Sequence, residues 1–322
     1  MRRRPWLLAA GAVGLALLAP RLVASSYGAN ALVTLALYVV LALAFDLMAG
    51  HVGAVSLAPP AFYALGAYTA GILATGHGTG LVTNLGAAAV LAAAVALLVG
   101  WPLFRLSDLT FAIGSLGLGL IAAALANNLE VTGGAMCTTG IPPVEWRAGA
   151  WALTTARPAS AYYLALGLVG LAVLTYLGLT TSRTGRALAM VQGDEGLAAS
   201  FGVHALRYKL LAFAASATLI AAAGVFYAHY TGVVCPADFS PFLTVNLLVI
   251  VFVGGIGSLG GVVLGALFFV AVSEWARAFQ HLGNLIYGVV LLGAVLFLPR
   301  GLWGLVARRR PRPAATTREA GA

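Results

Sequence analysis

Charge is what this chain has least of. Of its 322 residues, 8% are Asp, Glu, Lys or Arg and 61% are hydrophobic. A soluble domain of this length needs far more charge to cover its surface, so a soluble globular protein is excluded. Lys209 is the one lysine, and no G-x-x-x-x-G-K-[ST] run precedes it; the chain does not bind ATP through a phosphate loop of that kind. There is no H-E-x-x-H pair and no group of His, Cys and carboxylates at ligand spacing. His51, His77, His204, His229 and His281 stand apart and read as loop or membrane-boundary residues. Gly114-Ser115-Leu116-Gly117 lacks the G-x-S-x-G spacing and sits in an apolar run, so it carries no nucleophile. Without a nucleophile, a metal set or an acid–base pair, an integral-membrane enzyme is disfavoured. Carboxylates inside the apolar runs are scarce: Asp46 lies near an inner end and Glu274 near an outer one. Ion-coupled carriers usually need such groups, so that mechanism is disfavoured too, although backbone carbonyls alone can hold sodium.

What is present is apolar length. Runs sized to the hydrocarbon core recur from end to end, and the alternation of an outer-membrane barrel is missing. The expected fold is all-α: a polytopic membrane protein with about ten passages. They lie near Trp6–Val23, Ala29–Met48, Val52–Thr75, Leu85–Phe104, Leu109–Ala126, Ala161–Leu179, Leu210–Tyr230, Leu243–Gly254, Leu259–Ala276 and Leu285–Leu298. The eighth is short. The third contains Pro59-Pro60, which an unbroken helix does not hold without freeing backbone groups. A broken or partly re-entrant element is expected there, facing the pathway, with a plain span start at the inner boundary as the alternative. Eight or nine true spans fit as well. Arg2-Arg3-Arg4, the apolar run and Leu22-Val23-Ala24-Ser25 also fit a cleavable signal peptide; a retained first helix is the reading adopted.

The net charge of +9 follows topology and does not form a nucleic-acid patch. On this reading 14 of the 18 basic residues fall on one side, leaving Arg21, Arg147, Arg157 and Arg277 on the other. The positive-inside rule then makes both termini cytoplasmic. The permease domain would span 1–305, with a disordered basic tail at 306–322 held near anionic lipid. Asn127–Ser160 and Thr231–Pro241 become external. Cys137 and Cys235 fall one in each external segment, where a disulfide is chemically allowed; two free thiols remain the alternative, because spacing says nothing of their separation. Gly254-Gly255-Ile256-Gly257-Ser258-Leu259-Gly260-Gly261 is the densest glycine cluster. It reads as a tight inside turn with close helix packing, or as a hinge or part of the pathway.

The charged island from Thr181 to Phe213 is the remaining feature, with a cytoplasmic loop expected over 181–208. It holds Arg183, Arg186, Asp194, Glu195, Arg207 and Lys209 between two nearly uncharged halves. A membrane protein with such a segment mid-chain is expected to use it against a soluble partner.

Four stretches carry a resemblance. They are Val55 to Ala70, Thr132-Gly133-Gly134 with Thr139-Gly140-Ile141-Pro142, Ser182 to Phe213, and Gly254 to Gly261 with Phe297 to Leu302. In this order, over Leu32 to Leu305, the chain resembles the branched-chain amino acid ABC transporter permeases, the LivM-like more than the LivH-like subunit. The resemblance implies an importer permease of the ten-helix (type II-like) kind in the bacterial inner membrane. It implies a LivH-like second permease as heterodimer partner, two cytoplasmic ATPases that bind ATP and magnesium, and a periplasmic or lipid-anchored substrate-binding protein. This chain itself would bind no cofactor. Gly185 to Val203 looks like the ATPase-coupling loop, with Gly185, Arg186, Asp194, Glu195, Ala198, Ala199 and Gly202 as its residues. Ser56, Pro59, Pro60, Gly66, Tyr68, Gly254, Gly255 and Gly257 are the candidates for pathway or hinge. Two departures bear on the substrate: Ala58-Pro59-Pro60 stands where the family has Gly-His-Ala, and Ala135-Met136-Cys137 where it has Ser-Asp-Gly. The alternatives are the same machinery carrying urea, amides or another small solute, and a stand-alone secondary transporter.

Overall fold

The computed structural model describes residues 25–148, 151–277 and 301–306, with Pro20, Gly288 and Gly293 as isolated positions. The expected passages at Trp6–Val23 and Leu285–Leu298, the Phe297–Arg300 part of the last motif and the tail after Val306 lie outside the described residues. The molecule is a helical bundle. Helix α1 (Ser26–Asp46) starts at Ser25, whose hydroxyl accepts from the Gly28 N–H, and runs on into a π-turn at Leu47–Val52. There follow α2 (Pro59–His77), α3 (Leu81–Leu103), α4 (Asp108–Asn128), α5 (Pro158–Thr180), α6 (Arg183–Gly193), α7 (Glu195–Ser200), α8 (Ala205–Thr231), α9 (Phe242–Gly254), α10 (Leu259–Arg277) and α11 (Gly301–Val306). Among the described residues, six helices are long and apolar enough to cross a membrane: Tyr27–Val52, Leu81–Leu103, Asp108–Asn128, Pro158–Thr180, Ala205–Thr231 and Leu259–Arg277.

The third passage is broken at its start. Residues 53–58, after the π-turn, are not helical, and Pro59 and Pro60 open α2. Proline suits the first turn, where its missing N–H would have no partner in any case. The extended residues pair elsewhere: the Leu57 N–H donates to Ser115 Oγ at 2.8 Å, and the Ala58 N–H to Ser56 Oγ at 3.3 Å. Ser115 lies seven residues into α4, roughly 10 Å from its start at 1.5 Å per residue. Helix α2 therefore begins within the bundle and not at its end. Exposed backbone groups survive there because protein surrounds them.

Helix α8 is the packing hub, touching α1, α2, α3 and α5. Its approach to α2 needs glycine on both sides. A β-carbon on Gly66 would overlap the Ala221 carbonyl, and one on Gly224 the Tyr63 carbonyl. Against α3 it meets a stripe at four-residue spacing, Ala88, Ala92, Ala96 and Gly100, all buried. The opposite face of α3 exposes Val90, Leu97 and Leu98. Small residues inside and large ones outside is the membrane arrangement, because lipid removes the hydrophobic drive and leaves close packing to hold helices together. Gly224→Val should lower the thermal midpoint in detergent, since backbone must move; overpacking alone costs about 1–3 kcal/mol. Gly86→Ala, with nothing within 4 Å of the added carbon, should leave it unchanged or raise it slightly. Equal midpoints for wild type and Gly224→Val would contradict the crossing.

Outside the bundle the chain is not purely helical. Strand β1 (Thr138–Thr139) pairs antiparallel with β4 (Val233–Val234), and β2 (Glu145–Ala148) with β3 (Trp151–Thr154). Backbone groups that no helix satisfies pair here as short ladders.

Candidate functional site

The charged island folds into two short helices at one end of the bundle. Ser182 caps α6, its hydroxyl accepting from the Thr184 N–H at 3.1 Å. Gly185, Ala187, Leu188 and Val191 bury one face of α6, and a β-carbon on Gly185 would overlap the Thr180 carbonyl, so the helix turns tightly off α5. Asp194 caps α7, accepting from the Leu197 N–H at 3.0 Å, as N-cap carboxylates do. Gly202, at φ +78°, ends α7 in the left-handed region that favours glycine. Glu195 makes an ion pair with Lys209 on α8. Of the two matched alanines, Ala198 is buried and Ala199 exposed. The free face presents Arg183 and Arg186 together with apolar groups: Leu197 is 58% and Phe201 70% exposed.

This loop joins the bundle beside a buried carboxylate. The Gln192 side-chain amide donates to the Gly50 carbonyl at 3.2 Å. Gly50 sits in the π-turn beside Asp46, which is 0% exposed. Asp46 Oδ2 accepts from the Tyr176 hydroxyl at 2.7 Å, and Oδ1 from the Gly257 N–H at 2.8 Å. His51 Nδ1 lies 4.0 Å from Asp46 Oδ2, and its ring meets the edge of Tyr176. A charge at this depth survives only with such partners. One side chain thus ties together α1, α5 and the glycine-rich turn, next to the contact from α6.

The glycine-rich turn is the tight connection between α9 and α10. Gly254 packs on Gly261 and Gly265, where β-carbons would overlap backbone. Gly255 and Gly257 take positive φ, and Gly255 lies against Trp303 of α11. The other candidates do not share that site. Ser56, Pro59 and Pro60 are buried around the start of α2, and Gly66 is spent on the α8 crossing. Tyr68 lines an apolar cavity of about 270 Å³ between α2, α3 and α4, with Phe62, Leu118, Ile121 and Thr132, and its hydroxyl has no hydrogen-bond partner.

At the other end, Cys137 and Cys235 form a disulfide with Cα atoms 4.4 Å apart, beside the β1–β4 ladder. It closes a separation of 98 residues and fixes the Thr132–Ile141 segment to the loop before α9. Maleimide should label denatured protein only after reduction; equal labelling without reductant would contradict the bridge. Close by, His229 is buried. Its Nε2 lies 2.9 Å from Asn84 Nδ2 and its Nδ1 3.0 Å from the Pro142 carbonyl. The histidine reads structurally, as a link from α8 to α3 and to the segment at Pro142. Among the described residues no group of three or more His, Cys, Asp or Glu could hold a metal ion.

Sequence reasoning missed Asp46 and the His229 link as organising groups. The partners of Asp46 stand 130 and 211 residues away, so no local pattern announces them. The one available signal was a lone carboxylate in an apolar run, which counts as functional until shown otherwise.

Comparison with known proteins adds to this geometry. The family described as branched-chain amino acid transport system / permease component matches residues 27–298. The chain is similar to the high-affinity branched-chain amino acid transport system permease protein LivM of Escherichia coli (strain K12), 33% identical over 286 residues, covering 83% of this chain and 67% of that protein. It is 32% identical over the same length and shares to LivM of Salmonella typhimurium (strain LT2). No solved structure matches. With six helices fit to cross a membrane and a family match over most of its length, the chain belongs to the branched-chain amino acid transport permease family.

Proposed function

We propose that the chain is a transmembrane permease subunit of an ATP-driven importer for branched-chain or related amino acids. It forms half of the translocation pathway, with a second permease as the other half. Two cytoplasmic ATPases bind ATP and magnesium, and an external binding protein delivers the substrate. The chain is a multi-pass inner-membrane protein of about ten helices with both termini cytoplasmic, and it does no chemistry itself.

The observation that carries this reading is the α6–α7 unit. A capped pair of short helices exposes Leu197 and Phe201 on a loop rich in Arg. Apolar side chains of that size, held on a polar loop, suit a groove on a soluble partner. The Gln192–Gly50 contact and the Asp46 cluster give closure of that partner a route into the bundle, as rigid-body motion of packed helices.

Cysteine accessibility tests the orientation. In intact cells Glu145→Cys should react with an impermeant maleimide and Gln192→Cys should not. Labelling of Gln192→Cys from outside would overturn the arrangement.

A further inference from the structure

A second cavity, of about 320 Å³, lies at the end of the bundle that carries the disulfide. It is walled by α1, α2, the last turns of α8, the 3₁₀ turn Pro236–Phe239 and the start of α9. The volume falls in the range of small-molecule pockets, ~300–1,000 Å³. We propose that this cavity is a transient site for an aliphatic amino acid zwitterion, with Asp238 taking the ammonium and Tyr63 the carboxylate. The proposal rests on the reading of the chain as an amino acid permease and gives that reading a place in the fold.

Three observations carry it. The first is an unneutralised carboxylate. Asp238 lines the cavity, and its position is held by the Cys235 N–H, at 3.1 Å to Oδ2, and by the Tyr227 hydroxyl. No Lys, Arg or His lines the cavity, and Asp238 makes no ion pair among the described residues. Such a wall rejects simple anions and attracts a cation.

The second is an unused donor. Tyr63 is 6% exposed and lines the cavity, its ring 5.5 Å from those of Tyr227 and Phe239. Its hydroxyl has no hydrogen-bond partner among the described residues. By contrast the neighbouring hydroxyls are committed: Tyr38 to Asn246, Tyr227 to Asp238 and Tyr230 to Asn30. A ligand carboxylate in the cavity would give this hydroxyl a partner. The third is the apolar wall. Leu37, Leu41 and Leu243 complete the lining and suit a branched aliphatic chain.

The position also fits transit. Tyr63 stands one turn into α2, the helix that starts within the bundle, while Asp238 is exposed on the loop outside it. The two polar groups therefore span from the mouth of the cavity to its floor. A single weak ion contact and one neutral donor would hold a substrate briefly, which passage requires.

Saturation-transfer NMR on the permease pair in nanodiscs tests the site, with three probes: leucine, 3-methylbutylamine and 4-methylpentanoate. Wild type should transfer to leucine and the amine but not to the acid. Asp238→Asn, which keeps the cap, should weaken both by roughly tenfold. Tyr63→Phe should weaken leucine similarly and leave the amine unchanged. Signals for leucine unaltered by both variants, or equal signals for the acid and leucine, would overturn the site. ATP-driven leucine uptake is measured alongside. Normal uptake by both variants with unaltered binding would sink the site and leave the permease reading standing. Absence of uptake by the wild-type complex would sink the permease reading, and the binding spectra would still decide the cavity.

Discussion

Changing Leu197 and Phe201 together to aspartate should reduce ATP-driven uptake by at least about a hundredfold while the chain still folds and inserts. Both side chains project from α7 and the residue that ends it, into water in the isolated chain. Removing them costs the bundle little, because both are more than half exposed. In a groove on an ATPase each would act as an anchor worth roughly 2 kcal/mol or more. Two buried aspartates add desolvation that the groove does not repay, and every 1.4 kcal/mol is about tenfold in binding. Two further variants attack the same contact. Gly202→Trp combines bulk with a backbone at φ +78°. Glu195→Lys with Ala199→Arg reverses charge and sets one cation against Lys209. Co-purification of the ATPases with the double aspartate variant at wild-type yield would remove this loop as the docking element.

The second large effect is expected at Asp46. Asp46→Ala leaves the Tyr176 hydroxyl and the Gly257 N–H without partners in a buried place. Each unsatisfied group costs about 1–3 kcal/mol, so the midpoint of thermal unfolding should fall sharply and uptake with it. Asp46→Asn separates geometry from charge. Its amide oxygen can accept from Gly257, and its nitrogen can face the Tyr176 oxygen. If Asp46 works as a geometric tie, the asparagine variant should keep uptake within a few-fold of wild type while the alanine variant loses it. Equal uptake by wild type and Asp46→Ala would show that the tie does not matter to transport.

Different features of the molecule were legible from sequence to different degrees, for physical reasons. Spans such as Leu81–Leu103 and Ala205–Thr231 show in hydropathy, because lipid imposes length and composition locally. The α6–α7 loop shows because its charges stand in a desert and its caps, Ser182 and Asp194, are local signals. The start of α2 does not show, because residues 53–58 are as apolar as a helix; only Pro59-Pro60 hints at it. Glycines look alike in sequence, yet Gly66 is wedged against Ala221 and Gly86 touches nothing. The Asp46 cluster, the Cys137–Cys235 bridge and the tyrosine cavity join residues far apart in the chain, and spacing carries no record of such meetings.

The central claim is that this chain moves branched-chain amino acids by coupling to separate ATPases. Reconstitution tests it most directly: the chain with its second permease, the two ATPases and the binding protein in proteoliposomes, with radiolabelled leucine outside the site of ATP hydrolysis. Accumulation should require ATP and magnesium on the loop side, should be competed by isoleucine and valine, and should vanish when this chain is left out. Accumulation driven by a proton or sodium gradient without the ATPases, or ATP-driven uptake of urea with none of leucine, would contradict it.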